Sequence, residues 1–318
     1  MCISVAPAEF TGTILYVGRH THPQHGPVEV IGYQNTAVNL ADGPNAMLLH
    51  LPATEMTRAN FLDATATPDV LRDLVDALRP ASWAQPSRAP VAAGAAVEVF
   101  DHDIYTVVLA ADPRDIPAAL TRVPQHKRPQ LRPELFEFYA DTFPLYPVAL
   151  CCFDNADARR AAPLLMWYPP IFTNRMTAPA LDCHTGAAPD PDGLVRTDHW
   201  VVIGLDDAPD GWGVPVRYRR APGPLAPFLP ERVIGREVAL TQVRNGDFAI
   251  SVDDARAGRI DRLARLTVRD ERVPITVAPA PDPGGEPVPL RPWLRPLLMT
   301  IGVVLLVLLC GGFLIWGP

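Results

Sequence analysis

The last stretch of the chain, Pro296 to Trp316, is 21 residues long and carries no charge. A helix needs about 20 apolar residues to cross the roughly 30 Å hydrocarbon layer of a bilayer. Seven Leu, three Val, two Ile and one Phe fall in this run. At about −0.3 to −0.6 kcal/mol each, they favour insertion by roughly 4–8 kcal/mol. The segment is apolar on every face, and no later element follows to cover it as a core helix. It is expected to be a transmembrane helix, so the lipid bilayer is the first partner read from this chain.

Orientation follows from the flanks. Arg291 and Arg295 precede the helix, and only Gly317 and Pro318 follow it. Positive residues stay on the cytoplasmic side. The opening Met1-Cys2-Ile3-Ser4-Val5 has neither the basic region nor the apolar run of a secretory signal. The expectation is a single-pass, tail-anchored protein of the cell membrane with its N-terminal domain in the cytoplasm. Trp293 and Trp316 bracket the helix as interfacial anchors do.

Ahead of the anchor, 48% hydrophobic content argues for folded structure. A net charge of −7 gives no basic footprint for a polyanion, which excludes nucleic acid as a partner. Five Cys, two of them adjacent as Cys151-Cys152, do not form a disulfide framework, in keeping with a reducing compartment. No phosphate-binding Gly-Lys loop, dinucleotide Gly pattern, His-Glu-x-x-His or Gly-x-Ser-x-Gly occurs, so no cofactor is implied.

The 37 Pro punctuate the structure. Thr67-Pro68-Asp69 opens a helix with Val70, Leu71, Leu74, Val75 and Leu78 on one face, ending at Pro80. Asp112-Pro113 opens a second helix and Pro133 a third. Short β-branched or aromatic runs between them read as strands: 13–17, 28–33, 46–51, 104–110, 148–153, 164–168 and 200–205. Arg236–Val243 and Asp247–Val252 flank Asn245-Gly246, a hairpin turn signal. The fold class expected is α+β, a mixed sheet with a few amphipathic helices. The divisions expected are a globular domain over 1–206, a β-rich extension over 207–273, a Pro-rich tether over 274–295 and the helix over 296–316. Nineteen tether residues, 274–292, at about 3.1 Å each reach roughly 60 Å from the bilayer.

Cys2 is the sharpest catalytic candidate. Removal of Met1 leaves a cysteine whose α-amino group, of reference pKa about 8, serves as base for its own thiol. With Leu15-Tyr16-Val17-Gly18-Arg19 the opening locally resembles the choloylglycine-hydrolase branch of the N-terminal nucleophile hydrolases. By that resemblance Cys2 attacks an amide and Arg19 orients it.

Two further groupings carry chemistry. His20, His22 and His25 lie in one short segment, and with Cys183 and His184 they offer zinc-type donors, although the spacing matches no metal motif and no metal site is assigned. The polar, turn-rich segment 178–193 is the preferred binding region. Within and beside it, Asp182, His184 and Asp198 make an acid/base group if the fold brings them together. The leading expectation is a membrane-tethered binding or scaffold module with a membrane-protein or small-molecule partner. The alternatives are a Cys2 amidohydrolase and, third, a zinc enzyme.

Overall fold

The structure, a computed structural model, describes residues 3–79, 98–154 and 161–275. The expected membrane helix, the tether beyond residue 275, Cys2 and the Ala/Pro-rich stretch 80–96 lie outside these residues. Among the described residues no helix is long and apolar enough to cross a membrane.

The described chain is a mixed α and β fold with three sheets and few helices. The first sheet orders β1 (Ile3–Ser4), β4 (Asn45–His50), β8 (Val148–Phe153), β7 (Tyr105–Ala110) and β6 (Glu98–His102), all antiparallel. The second, of seven strands, orders β12 (Val214–Pro215), β13 (Arg232–Arg244), β11 (Leu194–Leu205), β2 (Ala8–His22), β3 (Gly26–Asn39), β9 (Leu164–Tyr168) and β5 (Phe61–Leu62). Its one parallel pair is β11 with β2. The third orders β10 (Arg175–Ala178), β14 (Asp247–Ser251), β15 (Ala264–Leu266) and β16 (Arg272–Pro274). The helices are α1 (Val70–Leu78), α2 (Ile116–Ala119), α3 (Pro133–Thr142) and α4 (Val252–Arg256).

Strand periodicity explains the layering. Successive side chains point to opposite faces, and here both faces are covered. Met47, Leu49, Val107, Leu109 and Cys151 of the first sheet meet Leu15, Val17, Ile31, Tyr33 and Ile203 of the second in a central core. Their chain neighbours Leu48, Val108, Leu150 and Cys152 face outward, under Ile116, Leu120, Leu135, Phe136 and Tyr139 of the α2 and α3 region. On the far side Ile14, Tyr16, Val28, Val30 and Val202 are capped by Val70, Leu71, Leu74 and Val75 of α1. The order is helices, sheet, sheet, helix. Each fully buried Leu or Val contributes about 1.5–3 kcal/mol relative to exposure.

Local rules set the ends of the helices. A Thr67–Val70 turn precedes α1, with Val70 N donating to Thr67 O at 3.0 Å, and Asp69, at the cap position, makes no side-chain capping bond. The stretch from Pro113 is capped by Asp112, whose carboxylate accepts from Arg114 N at 2.9 Å. It is a chain of short 3-10 and α turns because Pro117 cannot donate in its middle.

The Asn245-Gly246 hairpin does not form. Arg232–Arg244 pairs with β11 and β12, whereas Asp247–Ser251 pairs with β10 and β15, so the turn carries the chain from one sheet to another. The buried Asn245 side chain explains why. Its Oδ1 accepts from Asp182 N and Gly246 N at 2.9 Å each, and its Nδ2 donates to Asp182 O at 2.9 Å and Asp190 O at 3.0 Å. The asparagine ties down a distant loop instead of closing a two-strand ribbon. Strands beyond residue 206 thus join sheets built from earlier ones, and the described residues fall in a single compact unit that ends at Val277.

Candidate functional site

A cavity of about 220 Å³ opens between the segment that follows α3 and the third sheet. Phe143, Tyr146 and Phe172 give it aromatic walls, Leu181 and Leu266 add aliphatic ones, and Asp247 lies at its floor. Asp247 opens β14 directly after the Asn245-Gly246 turn. His50 ends β4, and its Nε2 lies 2.8 Å from Asp247 Oδ2. The other carboxylate oxygen, Oδ1, accepts from Ala180 N at 2.8 Å and Leu181 N at 3.1 Å. The fold holds the imidazole too: Phe143 stacks on it at 4.3 Å between ring centres, and Tyr139 lies at 5.4 Å.

Burial alone pushes the Asp247 carboxyl upward. His50, the Ala180 amide and the Arg265 guanidinium outweigh it and hold the group below the ordinary carboxylate range. Asp247 is therefore an ionised carboxylate inside the protein, a state that persists only when paired and hydrogen-bonded. Burial raises the Tyr146 hydroxyl above its ordinary value, so that it stays neutral. At the rim Arg175 stacks over Phe172 at 3.8 Å and pairs with Asp270 at 2.6 Å. An apolar cavity with a few fixed polar groups suits ligand binding.

Arg19 lies elsewhere, and its guanidinium is taken. Nη2 donates to Glu29 at 2.7 Å, Phe172 O at 2.8 Å and Arg175 O at 3.0 Å, and Nη1 donates to Thr173 O at 2.6 Å. It clamps the 172–175 segment, one wall of the cavity, onto the seven-stranded sheet. Burial raises the Glu29 carboxyl to about 7 even against the pull of Arg19. Ile3, which follows Cys2, sits in the other sheet opposite Leu48.

Asp182 and His184 are brought together, 2.9 Å apart, but without hydrogen-bond alignment. Phe10 packs edge-on against His184 at 4.9 Å. Asp198 does not join them. It sits at a register break of β11 and accepts from Gly12 N at 2.6 Å, where β2 also breaks register and Gly12 adopts φ 62°. The carboxylate satisfies an amide that the bulge leaves out of the ladder. His20 bonds inward to Tyr16 at 2.8 Å, while His22 stacks on His25 at 4.6 Å and on Phe228 at 4.7 Å. Among the described residues no group of three or more His, Cys, Asp or Glu converges as a metal site.

The cavity adjoins the segment 178–193 that composition singles out, through Ala180 and Leu181. His50 and Asp247 were not singled out there. The available signal is a histidine closing the apolar run Ala46–Leu49, and an acid directly after a turn.

No protein-family model matches the chain, and no curated protein matches it. Similar solved structures include baculovirus P35, at 11% identity and TM-score 0.38 over 80% of this chain and 92% of that one. A chain of the caspase-8/P35 complex matches at 14% identity and TM-score 0.36, over 61% of this chain and 63% of its own. A mutated baculovirus P35 after caspase cleavage matches at 15% and 0.34, over 60% and 65%. The chain thus spans less than two thirds of the length of the latter two. At these TM-scores the likeness carries nothing over to this chain.

Proposed function

We propose that this chain is a binding module held at the cytoplasmic face of a membrane by its C-terminal apolar segment, and that its ligand enters the cavity above Asp247. The observation that carries the reading is the cavity itself, an aromatic-walled space of about 220 Å³ with a buried, fully bonded carboxylate at its floor. That volume is below the roughly 300–1,000 Å³ of drug-sized pockets, so it suits one apolar or aromatic side chain of a partner, or a small molecule of similar size. Leu145 supports a protein partner, because it lines the same cavity and is 73% exposed. A membrane protein presenting such a side chain next to the bilayer fits the tether's reach.

The test uses full-length protein in non-ionic detergent, titrated with N-acetyl amides of Phe, Trp and Leu while the Tyr146 and Phe172 ring signals are followed by NMR. Saturable shifts confined to these rings, lost in Leu266→Trp, bear the reading out. No shift with any of the three amides removes it.

A second reading, amide hydrolysis by Cys2, draws support from the helix–sheet–sheet–helix layering, one half of what the resemblance implies; the other half, Cys2 in a pocket, falls outside the described residues. Against it stands the engagement of Arg19 with Glu29 and three carbonyls. Intact mass decides this: retained Met1, or unchanged amide turnover in Cys2→Ser, ends it.

A further inference from the structure

A second, larger cavity of about 530 Å³ lies at the C-terminal ends of β2 and β11, closed by the 3-10 segment Gly223–Phe228 and the start of β13. His20 forms part of its wall. The ring is only 4% exposed, and its Nε2 is held by Tyr16 at 2.8 Å. The described residues offer its Nδ1 no hydrogen-bond partner, which leaves that nitrogen for whatever enters the cavity. Burial lowers the imidazole to about 4 although Asp206 opposes the shift, so the ring is neutral at physiological pH.

The backbone is shaped around this pair. Gly18 and Gly204 are cross-strand partners. A Cβ on Gly18 would lie 1.9 Å from Tyr16 Oη and 2.5 Å from His20 Nε2, and one on Gly204 would lie 2.9 Å from Tyr16 Oη. Two facing glycines therefore leave the space that the Tyr16–His20 bond occupies.

Charge indicates the ligand. Asp206, Asp210 and Glu231 line the cavity, Asp206 Oδ2 also accepting from Thr21 N, and the cation among its lining residues, Arg232, is engaged in donating to the carbonyls of Trp212 and Gly213. Leu205, Ala208 and Leu229 supply an apolar wall. A metal ion does not fit, since no three ligating side chains converge among the described residues.

We propose that this cavity binds an alkylammonium group, its N–H donors shared among the three carboxylates and His20 Nδ1, with the alkyl chain against the apolar wall. The tautomer that donates from Nε2 to Tyr16 turns a lone pair of Nδ1 towards the ligand. The group comes from a free polyamine or from a lysine side chain of a partner. All three carboxylates are solvent-exposed, so their contributions are individually modest and weaken with salt.

The test is calorimetric titration of the full-length protein in non-ionic detergent with spermidine, with N-acetyl-lysine methylamide and with magnesium chloride. Spermidine is expected to bind with a dissociation constant below about 1 mM at low salt. Asp210→Asn/Glu231→Gln should weaken it at least tenfold while leaving the thermal midpoint of the ligand-free protein unchanged. His20→Gln, which keeps a polar group beside Tyr16, gives a second variant and should weaken it also. Comparable binding of the lysine amide assigns the group to a partner's side chain, and preference for spermidine assigns it to a free polyamine. No binding of either amine, equal binding by the carboxylate variant, or tighter binding of magnesium than of spermidine overturns the proposal.

Discussion

His50 and Asp247 stand 197 positions apart in the chain, and their side chains meet at 2.8 Å beneath the aromatic cavity. The contact joins the first sheet to the third. Together with the amides of Ala180 and Leu181 and the Arg265 guanidinium, it compensates a buried carboxylate. Removing one partner of a buried pair costs about 3–5 kcal/mol, whereas replacing both with apolar groups of matching volume is often near neutral. Asp247→Ala and His50→Ala should each lower the unfolding free energy by about that amount, and Asp247→Leu/His50→Phe should recover only part of the loss, because the Ala180 and Leu181 amides and the buried Arg265 lose their partner. Urea unfolding of Asp247→Ala, His50→Ala and Asp247→Ala/His50→Ala, read as a double-mutant cycle beside Asp247→Leu/His50→Phe, checks this; additive losses in the alanine series would mean that the two residues do not act as a pair.

Gly18 and Gly43 make a matched contrast. Adding a methyl group to Gly18 drives it into Tyr16 Oη, while around Gly43 nothing lies within 4 Å. Gly18→Ala should destabilise by more than about 2 kcal/mol, as overpacking and a broken buried bond do. Gly43→Ala should instead stabilise by roughly 0.4–1 kcal/mol by restricting the unfolded chain. Thermal unfolding separates the two signs directly.

The elements legible in the sequence are those whose signal is local. Val70, Leu71, Leu74 and Val75 repeat at helical spacing and are buried together under one face of α1. The run Val148–Phe153 is apolar on both sides because it lies in the middle of its sheet, with cores above and below. Partner choice was not legible. Asn245-Gly246 carries the residues of a hairpin turn, but four hydrogen bonds from the Asn245 side chain to residues 182, 190 and 246 send the two flanking strands into different sheets. Asp182 and His184 meet because they are two residues apart, while Asp198 is recruited by Gly12, a bulge amide 186 positions away. Contacts of that separation depend on which strands pair, and periodicity alone does not encode this.

The apolar run 296–316 predicts its own test. Arginine at the centre of a membrane helix costs about 2.5–3.5 kcal/mol of insertion. Leu306→Arg removes a favourable residue as well, so the summed preference should fall by roughly half. In detergent phase separation the unaltered chain should enter the detergent phase, and the variant should shift measurably to the aqueous one. Equal partition of both would show that the segment does not hold the chain in lipid.

Glu29 and His20 lie close together on neighbouring strands and respond to pH in opposite senses. Burial raises the Glu29 carboxyl from about 4.5 to about 7, so between these values the folded protein keeps a proton that the unfolded chain has released. Stability from this group is complete below pH 4.5 and is lost as pH rises towards 7. His20 is lowered from 6.5 to about 4, so in that interval the unfolded chain takes up a proton that the folded one refuses, and stability is lost as pH falls. Each group acting alone gives a slope of about 1.4 kcal/mol per pH unit. From pH 4.5 to 6.5 the two slopes oppose each other. Relative to the unaltered protein, Glu29→Gln should therefore gain stability as pH rises through this interval, and His20→Gln should gain it as pH falls. Unfolding free energies measured at pH 4.5, 5.5 and 6.5 would show the two difference curves crossing in slope; parallel curves would mean that neither group is shifted as its burial requires.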